Sequence, residues 1–136
     1  LDMINSSGKV IAYDAMWGAG QRIVPMLLPN TICLHCGDNP GFLGQAPEPI
    51  HRNLQELSQK VAGDPNIAMG LANDGDADRI GMYDGEGNFV DSHHIILLLI
   101  HYLHKYKGMD GKSTRIFSLC QPVAVSARGS VNALLV

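Results

Sequence analysis

Short apolar runs alternate with helical stripes along this chain. Lys9 to Asp14 (KVIAYD) is apolar between charged ends and is bounded by Gly8 and the Gly18-Ala19-Gly20 cluster, the pattern of a buried strand followed by a turn. Apolar residues then recur at Ile23, Val24, Leu27 and Leu28 on one helical face until Pro29 stops the run. Thr31 to Leu34 reads as a second strand. Gly37 to Pro49 holds three glycines and three prolines, so it is predicted to be a long ordered loop, and loops of that length in compact domains are functional or cover an interface. Leu54, Leu57 and Val61 are spaced by three and four, which predicts an amphipathic helix over 51–62 ending at Gly63.

Asn66 to Ala72 (NIAMGLA) is nearly all apolar, as expected of a central strand covered on both faces. Ile80 to Tyr83 and Phe89 to Val90 flank Asp84-Gly85-Glu86-Gly87-Asn88, a hairpin-type turn. From Ser92, an N-cap candidate, positions 95, 98, 99, 102, 103 and 106 form one apolar stripe. Positions 96, 97 and 100 are apolar as well, so this helix is predicted to be largely buried. Beyond Gly108 the pattern weakens, with Arg115 to Leu119 reading as one further strand. Alternating strands and helices predict a three-layer α/β/α sandwich with a mostly parallel sheet and one hairpin.

Composition narrows the function classes. The 136 residues carry ten Lys and Arg against 13 Asp and Glu, a formal charge of -3, which gives no pull toward nucleic acid or an anionic bilayer. The longest apolar run, Ile95 to Ile100, falls far short of the ~20 residues that cross a membrane. Three cysteines, Cys33, Cys36 and Cys120, are too few for a disulfide scaffold, so a reducing cytoplasm is expected. A chain that opens on Leu1 and closes on Leu134-Leu135-Val136 is expected to be a piece of a longer protein.

The chemistry concentrates in Asn73-Asp74-Gly75-Asp76-Ala77-Asp78-Arg79, where three carboxylates stand at i, i+2 and i+4 directly after the most apolar strand. Three anionic side chains on one tight loop repel one another unless a cation neutralises them, and hard oxygen ligands select Mg²⁺, Ca²⁺ or Mn²⁺. Gly75 and Ala77 keep the spacers small enough for the loop to curl. The carboxyl end of a central strand is also where open α/β sheets bind ligands. An EF-hand loop is excluded, because its sixth and twelfth positions need Gly and Glu and here carry Arg79 and Gly85.

The segment from Gly70 to Arg79 resembles the metal-binding loop of the α-D-phosphohexomutases, the phosphoglucomutase and phosphomannomutase family. Tyr13 to Gly20 (YDAMWGAG) resembles the strand-to-helix turn that opens the second domain of these enzymes. Gly41 to Pro49 (GFLGQAPEP), with Asn53-Leu54, resembles their proline-rich loop and next helix. The match runs from about Lys9 to Gly111, with Trp17 where many members carry His. It implies that residues 1–111 are the second α/β/α domain of a four-domain enzyme and that 112–136 are a strand and tail starting the linker to the next domain.

The same resemblance implies that Asp74, Asp76 and Asp78 are Mg²⁺ ligands and that Arg79 is catalytic, facing a phosphoserine and the substrate. The family moves a phosphoryl group between the 1 and 6 positions of a hexose phosphate through a bisphosphorylated intermediate. The implied partners are a phosphosugar and the other domains of the same polypeptide, with neither nucleic acid nor membrane. The sequence holds no Thr-Ala-Ser-His-Asn-Pro-like serine segment, so this chain is expected to be inactive alone.

Two other functions remain open on the residues: a self-contained metal-dependent phosphatase using one loop aspartate as nucleophile, and a noncatalytic α/β interaction module. Three further motifs have plainer explanations. Gly111-Lys112-Ser113-Thr114 lacks the first P-loop glycine, since Tyr106 occupies that place. Cys33-Leu34-His35-Cys36 has no second pair and reads as reduced cysteines at a strand end without metal. His93, His94, His101 and His104 read as interface or partly exposed histidines of one helix.

Overall fold

A computed structural model describes residues 1–109, 112–115 and 123–126. The chain divides into two compact units, Leu1–Ser92 and His93–Val136. The boundary read from the sequence, at residue 111, follows the extent of the resemblance, whereas compactness divides the chain after Ser92.

The first unit opens with a short helix, α1 (Asp2–Ser6), and then builds an open five-stranded sheet. Its strands are β1 (Val10–Asp14), β2 (Thr31–Leu34), β3 (Ile67–Asn73), β4 (Ile80–Tyr83) and β5 (Phe89–Val90), in the order β2-β1-β3-β4-β5. β1 runs parallel to both β2 and β3, and β4 is antiparallel to β3 and to β5. Four of the five strands therefore point the same way, and the hairpin at 84–88 is joined by a second antiparallel connection over 74–79. Ile11 to Asp14 are all buried, as a strand walled on both edges and both faces must be.

Helix α2 (Gly20–Leu27) connects β1 to β2, and α3 (Gln55–Ala62) precedes β3. The spacing of Leu54, Leu57 and Val61 locates the core: all three are fully buried and cluster with Ala12, Met16, Ile67, Ala72 and Tyr83. Gly70 lets α3 come this close, since a Cβ there would lie 2.9 Å from Val61 Cγ2 and 3.3 Å from Leu57 Cγ. The stripe expected on α2 does not reach the core. Ile23 and Leu27 are exposed, Pro25 sits inside the helix, and the helix ends at Leu27 because Leu28, which precedes Pro29, leaves the α region.

In the second unit, α4 (Ser92–Lys107) runs on from the last residue of the first, and β6 (Lys112–Arg115) pairs antiparallel with β7 (Val123–Ser126). The expectation that α4 is largely buried is not met: none of its residues is buried, and Leu97, Leu98 and Leu99 are each more than half exposed. An apolar run of helical length says that a helix needs a partner surface, but not which element supplies it. The expected strand at Arg115 to Leu119 meets β6 only at Arg115, and residues 116–119 lie outside the described residues. Among the described residues no helix is long and apolar enough to cross a membrane.

Candidate metal centre

Asn73 closes β3 opposite Ile80, which opens β4, so residues 74–79 form a six-residue loop at the carboxyl end of β3. The loop turns early, because the Ala77 N–H donates to the Asp74 carbonyl at 3.2 Å, and Ala77 takes the left-handed conformation (φ 64°). A residue with a Cβ pays roughly 1–2 kcal/mol to sit there. The curl gathers the side chains: one carboxylate oxygen from each of Asp74, Asp76 and Asp78 lies within 4.8 Å of the other two. Asp74 is buried, whereas Asp76 and Asp78 are exposed.

Arg79 holds the buried member. Its backbone N–H donates to Asp74 Oδ1 at 3.0 Å and its Nε donates to Oδ2 at 2.6 Å. Burial alone would raise the Asp74 pKa, but these two hydrogen bonds and the guanidinium charge outweigh it and hold the carboxyl below its ordinary value. Asp78 is shifted the other way, raised chiefly by the charge of Asp76 and then by that of Asp74. One guanidinium thus leaves part of the repulsion uncancelled. Three hard oxygen donors in mutual reach, with like-charge repulsion left over, fit a divalent cation such as Mg²⁺. Ile80, which follows Arg79 and opens β4, is 41% exposed.

Two neighbouring segments press on the loop backbone. On one side, the Ala19 N–H donates to the Gly75 carbonyl at 2.9 Å, and a Cβ at Gly18 would lie 2.6 Å from the Asp74 carbonyl oxygen. On the other side Pro47, in the proline-rich loop, lies 3.1 Å from where a Gly75 Cβ would stand. The three segments read as motifs from the sequence, 13–20, 41–49 and 70–79, therefore meet at this loop.

A second cluster lay outside the sequence reading. Asp14, at the end of β1, is buried and its Oδ1 accepts from the Met16 N–H at 2.8 Å. His35 Nδ1 lies 2.9 Å from both Asp14 carboxylate oxygens, where it donates, and His35 Nε2 lies 3.4 Å from Glu56 Oε2. The Trp17 ring packs on His35 with centroids 4.2 Å apart, and Met16, Trp17 and His35 all have positive φ. Trp17, His35, Pro47, Arg52 and Glu56 help line a cavity of about 290 Å³. The available signal was a carboxylate closing an otherwise apolar strand, which needs a partner when buried.

The remaining motifs take ordinary places. Cys33 and Cys36 are free, and burial, helped by Cys33, pushes the Cys36 thiol up to about 12. Lys112 to Thr114 lie in a strand, not at the helix start a phosphate loop requires. His93, His94, His101 and His104 are exposed on α4.

The fold and loop define a class: an open α/β domain that presents an acidic loop suited to a hard cation at the end of its sheet's third strand. The chain belongs to the phosphoglucomutase/phosphomannomutase family, whose alpha/beta/alpha domain II matches residues 1–87. It is 32% identical over 103 residues to a protein of Thermococcus kodakarensis named phosphopentomutase, an alignment covering 72% of this chain and 23% of the relative. It is 33% identical over 97 residues to the phosphoglucosamine mutase of Gloeothece citriformis, covering 68% of this chain and 19% of that one. The crystal structure of a phosphoglucomutase/phosphomannomutase family protein from Burkholderia thailandensis shares the fold, with TM-score 0.65 and 21% identity over 84% of this chain and 28% of that one. The chain spans about a quarter of the length of the first of these relatives.

Proposed function

We propose that this chain is the metal-binding second domain of a phosphohexomutase, an enzyme that moves a phosphoryl group between the 1 and 6 positions of a hexose phosphate. In this reading residues 1–111 form the domain and residues 112–136 begin the passage to the next. Asp74, Asp76 and Asp78 hold Mg²⁺, and the observation that carries the assignment is their convergence within 4.8 Å on one loop. A bound Mg²⁺ neutralises charge that builds on phosphoryl oxygens during transfer.

Arg79 has two tasks here. Its Nε and backbone N–H fix the buried Asp74 carboxylate, while its side chain stays 58% exposed and offers a planar fork suited to phosphate oxygens of a phosphoserine or phosphosugar. The serine that carries the phosphoryl group and the residues that select the sugar belong to other domains, so the chain alone is inactive. Incubation with glucose 1-phosphate and Mg²⁺ should yield neither glucose 6-phosphate nor inorganic phosphate. Release of phosphate would instead support a self-contained phosphatase, and loss of all divalent-ion response a noncatalytic module.

A further inference from the structure

We infer that Asn73 is a positioning residue for the metal loop: its side-chain amide ties the end of the loop to its beginning and to β1, holding the three carboxylates in mutual reach before any cation arrives. This rests on the metal-loop assignment proposed above. Asn73 Nδ2 donates to the Arg79 carbonyl at 2.8 Å, and Asn73 Oδ1 accepts from the Tyr13 hydroxyl at 3.3 Å. The amide orientation follows from chemistry, because the Arg79 carbonyl can only accept and so must face the NH₂ group. Tyr13 is a firm anchor, being 1% exposed in the strand that pairs with both β2 and β3.

The consequence is a two-sided grip on one residue. Asn73 takes the Arg79 carbonyl while Asp74, the next residue, takes the Arg79 N–H and Nε. Arg79 is thereby oriented from both sides, and the loop between is held curled against the mutual repulsion of its aspartates. The nearest replacements do not do this at position 73: Asp lacks the donor and adds a fourth negative charge, Gln is one methylene too long, and Ala offers nothing.

The test uses the whole 136-residue chain, with Mn²⁺ alone as the probe. In the metal-free protein, Asn73→Ala should speed amide exchange at Ala77 and Arg79 by about tenfold while Gly70 and Leu71 in β3 keep their protection. Its Mn²⁺ dissociation constant should rise by about tenfold. Tyr13→Phe, which removes only the anchor, should weaken Mn²⁺ by about two- to threefold, and the double variant should be no weaker than Asn73→Ala, as expected of coupled groups. Tyr13→Phe also carries the test should Asn73→Ala fail to fold. Unchanged loop exchange in these variants overturns the tie. Faster exchange with parental Mn²⁺ affinity overturns the positioning role, leaving Asn73 a purely structural residue. If the parent chain itself ignores Mn²⁺, the metal-loop assignment fails and the positioning role with it, whereas the exchange data still report whether the tie exists.

Discussion

Arg79 engages both carboxylate oxygens of Asp74, with its backbone N–H 3.0 Å from Oδ1 and its Nε 2.6 Å from Oδ2. A proposed metal ligand and a proposed phosphate-binding residue are thus one hydrogen-bonded unit. The family resemblance implies a catalytic role for Arg79, and the geometry adds a structural one. With the ion pair, Arg79→Lys keeps the backbone bond and the charge but loses the Nε donor. A hydrogen bond to a charged group contributes ~1.5–3 kcal/mol, and solvent at a half-exposed side chain reduces that, so denaturant unfolding should show a loss of about 1 kcal/mol. In a full-length enzyme turnover should fall ~10–100-fold, read by steady-state mutase kinetics.

Gly18 should tolerate no side chain. A Cβ there meets the Asp74 carbonyl oxygen at 2.6 Å and the Gly75 carbonyl oxygen at 2.8 Å, both backbone atoms that cannot swing aside. Gly18→Ala should cost about 1–3 kcal/mol in denaturant unfolding, the usual range for overpacking, and should shift the amide signals of residues 74–79. Gly37→Ala is the control, since nothing lies within 4 Å of a Cβ at that position.

Folding of the first unit should not depend on metal. Leu57 is fully buried among Leu54, Val61, Ile67 and Tyr83, and Leu57→Ala should cost ~2–5 kcal/mol. Adding EDTA should leave the thermal midpoint unchanged, and a fall of several degrees would make the acidic loop a structural metal site.

Alkali should destabilise the fold. Burial pushes the Tyr13 and Tyr83 hydroxyls from 10.0 to about 12, and the Cys36 thiol from 9.0 to about 12. These groups are neutral when protonated, so the unfolded chain gives up protons first and the native state binds more of them. Stability is then fully present below about pH 9 and is lost as pH rises toward 12. The denaturant midpoint should fall steadily across that window. A flat midpoint would mean these groups titrate alike in both states.

The strands β1 to β3, α3 and the acidic loop were legible in the sequence because each is a local signal: an apolar run, a three-four spacing, a triad of carboxylates. What stayed hidden depends on residues distant in the chain. Asp14 and His35 are 21 positions apart, Tyr13 and Asn73 are 60 apart, and β1 in the middle of the sheet brings both pairs together. The exposed leucines of α4 show the converse: a helical apolar pattern does not by itself fix burial. Periodicity orients a helix, whereas its partner surface comes from the rest of the fold.

The central claim, a divalent-cation site at Asp74, Asp76 and Asp78, is tested most directly by titrating Mg²⁺ into this chain and into Asp76→Ala while following backbone amide shifts. In the proposed reading a phosphoserine of another domain completes the site, so binding to this chain alone should be weak, with a roughly millimolar dissociation constant or ~4 kcal/mol. Residues 73–79 should shift in the parent chain and stay still in Asp76→Ala. Shifts that avoid 73–79, or that survive the substitution undiminished, would contradict it.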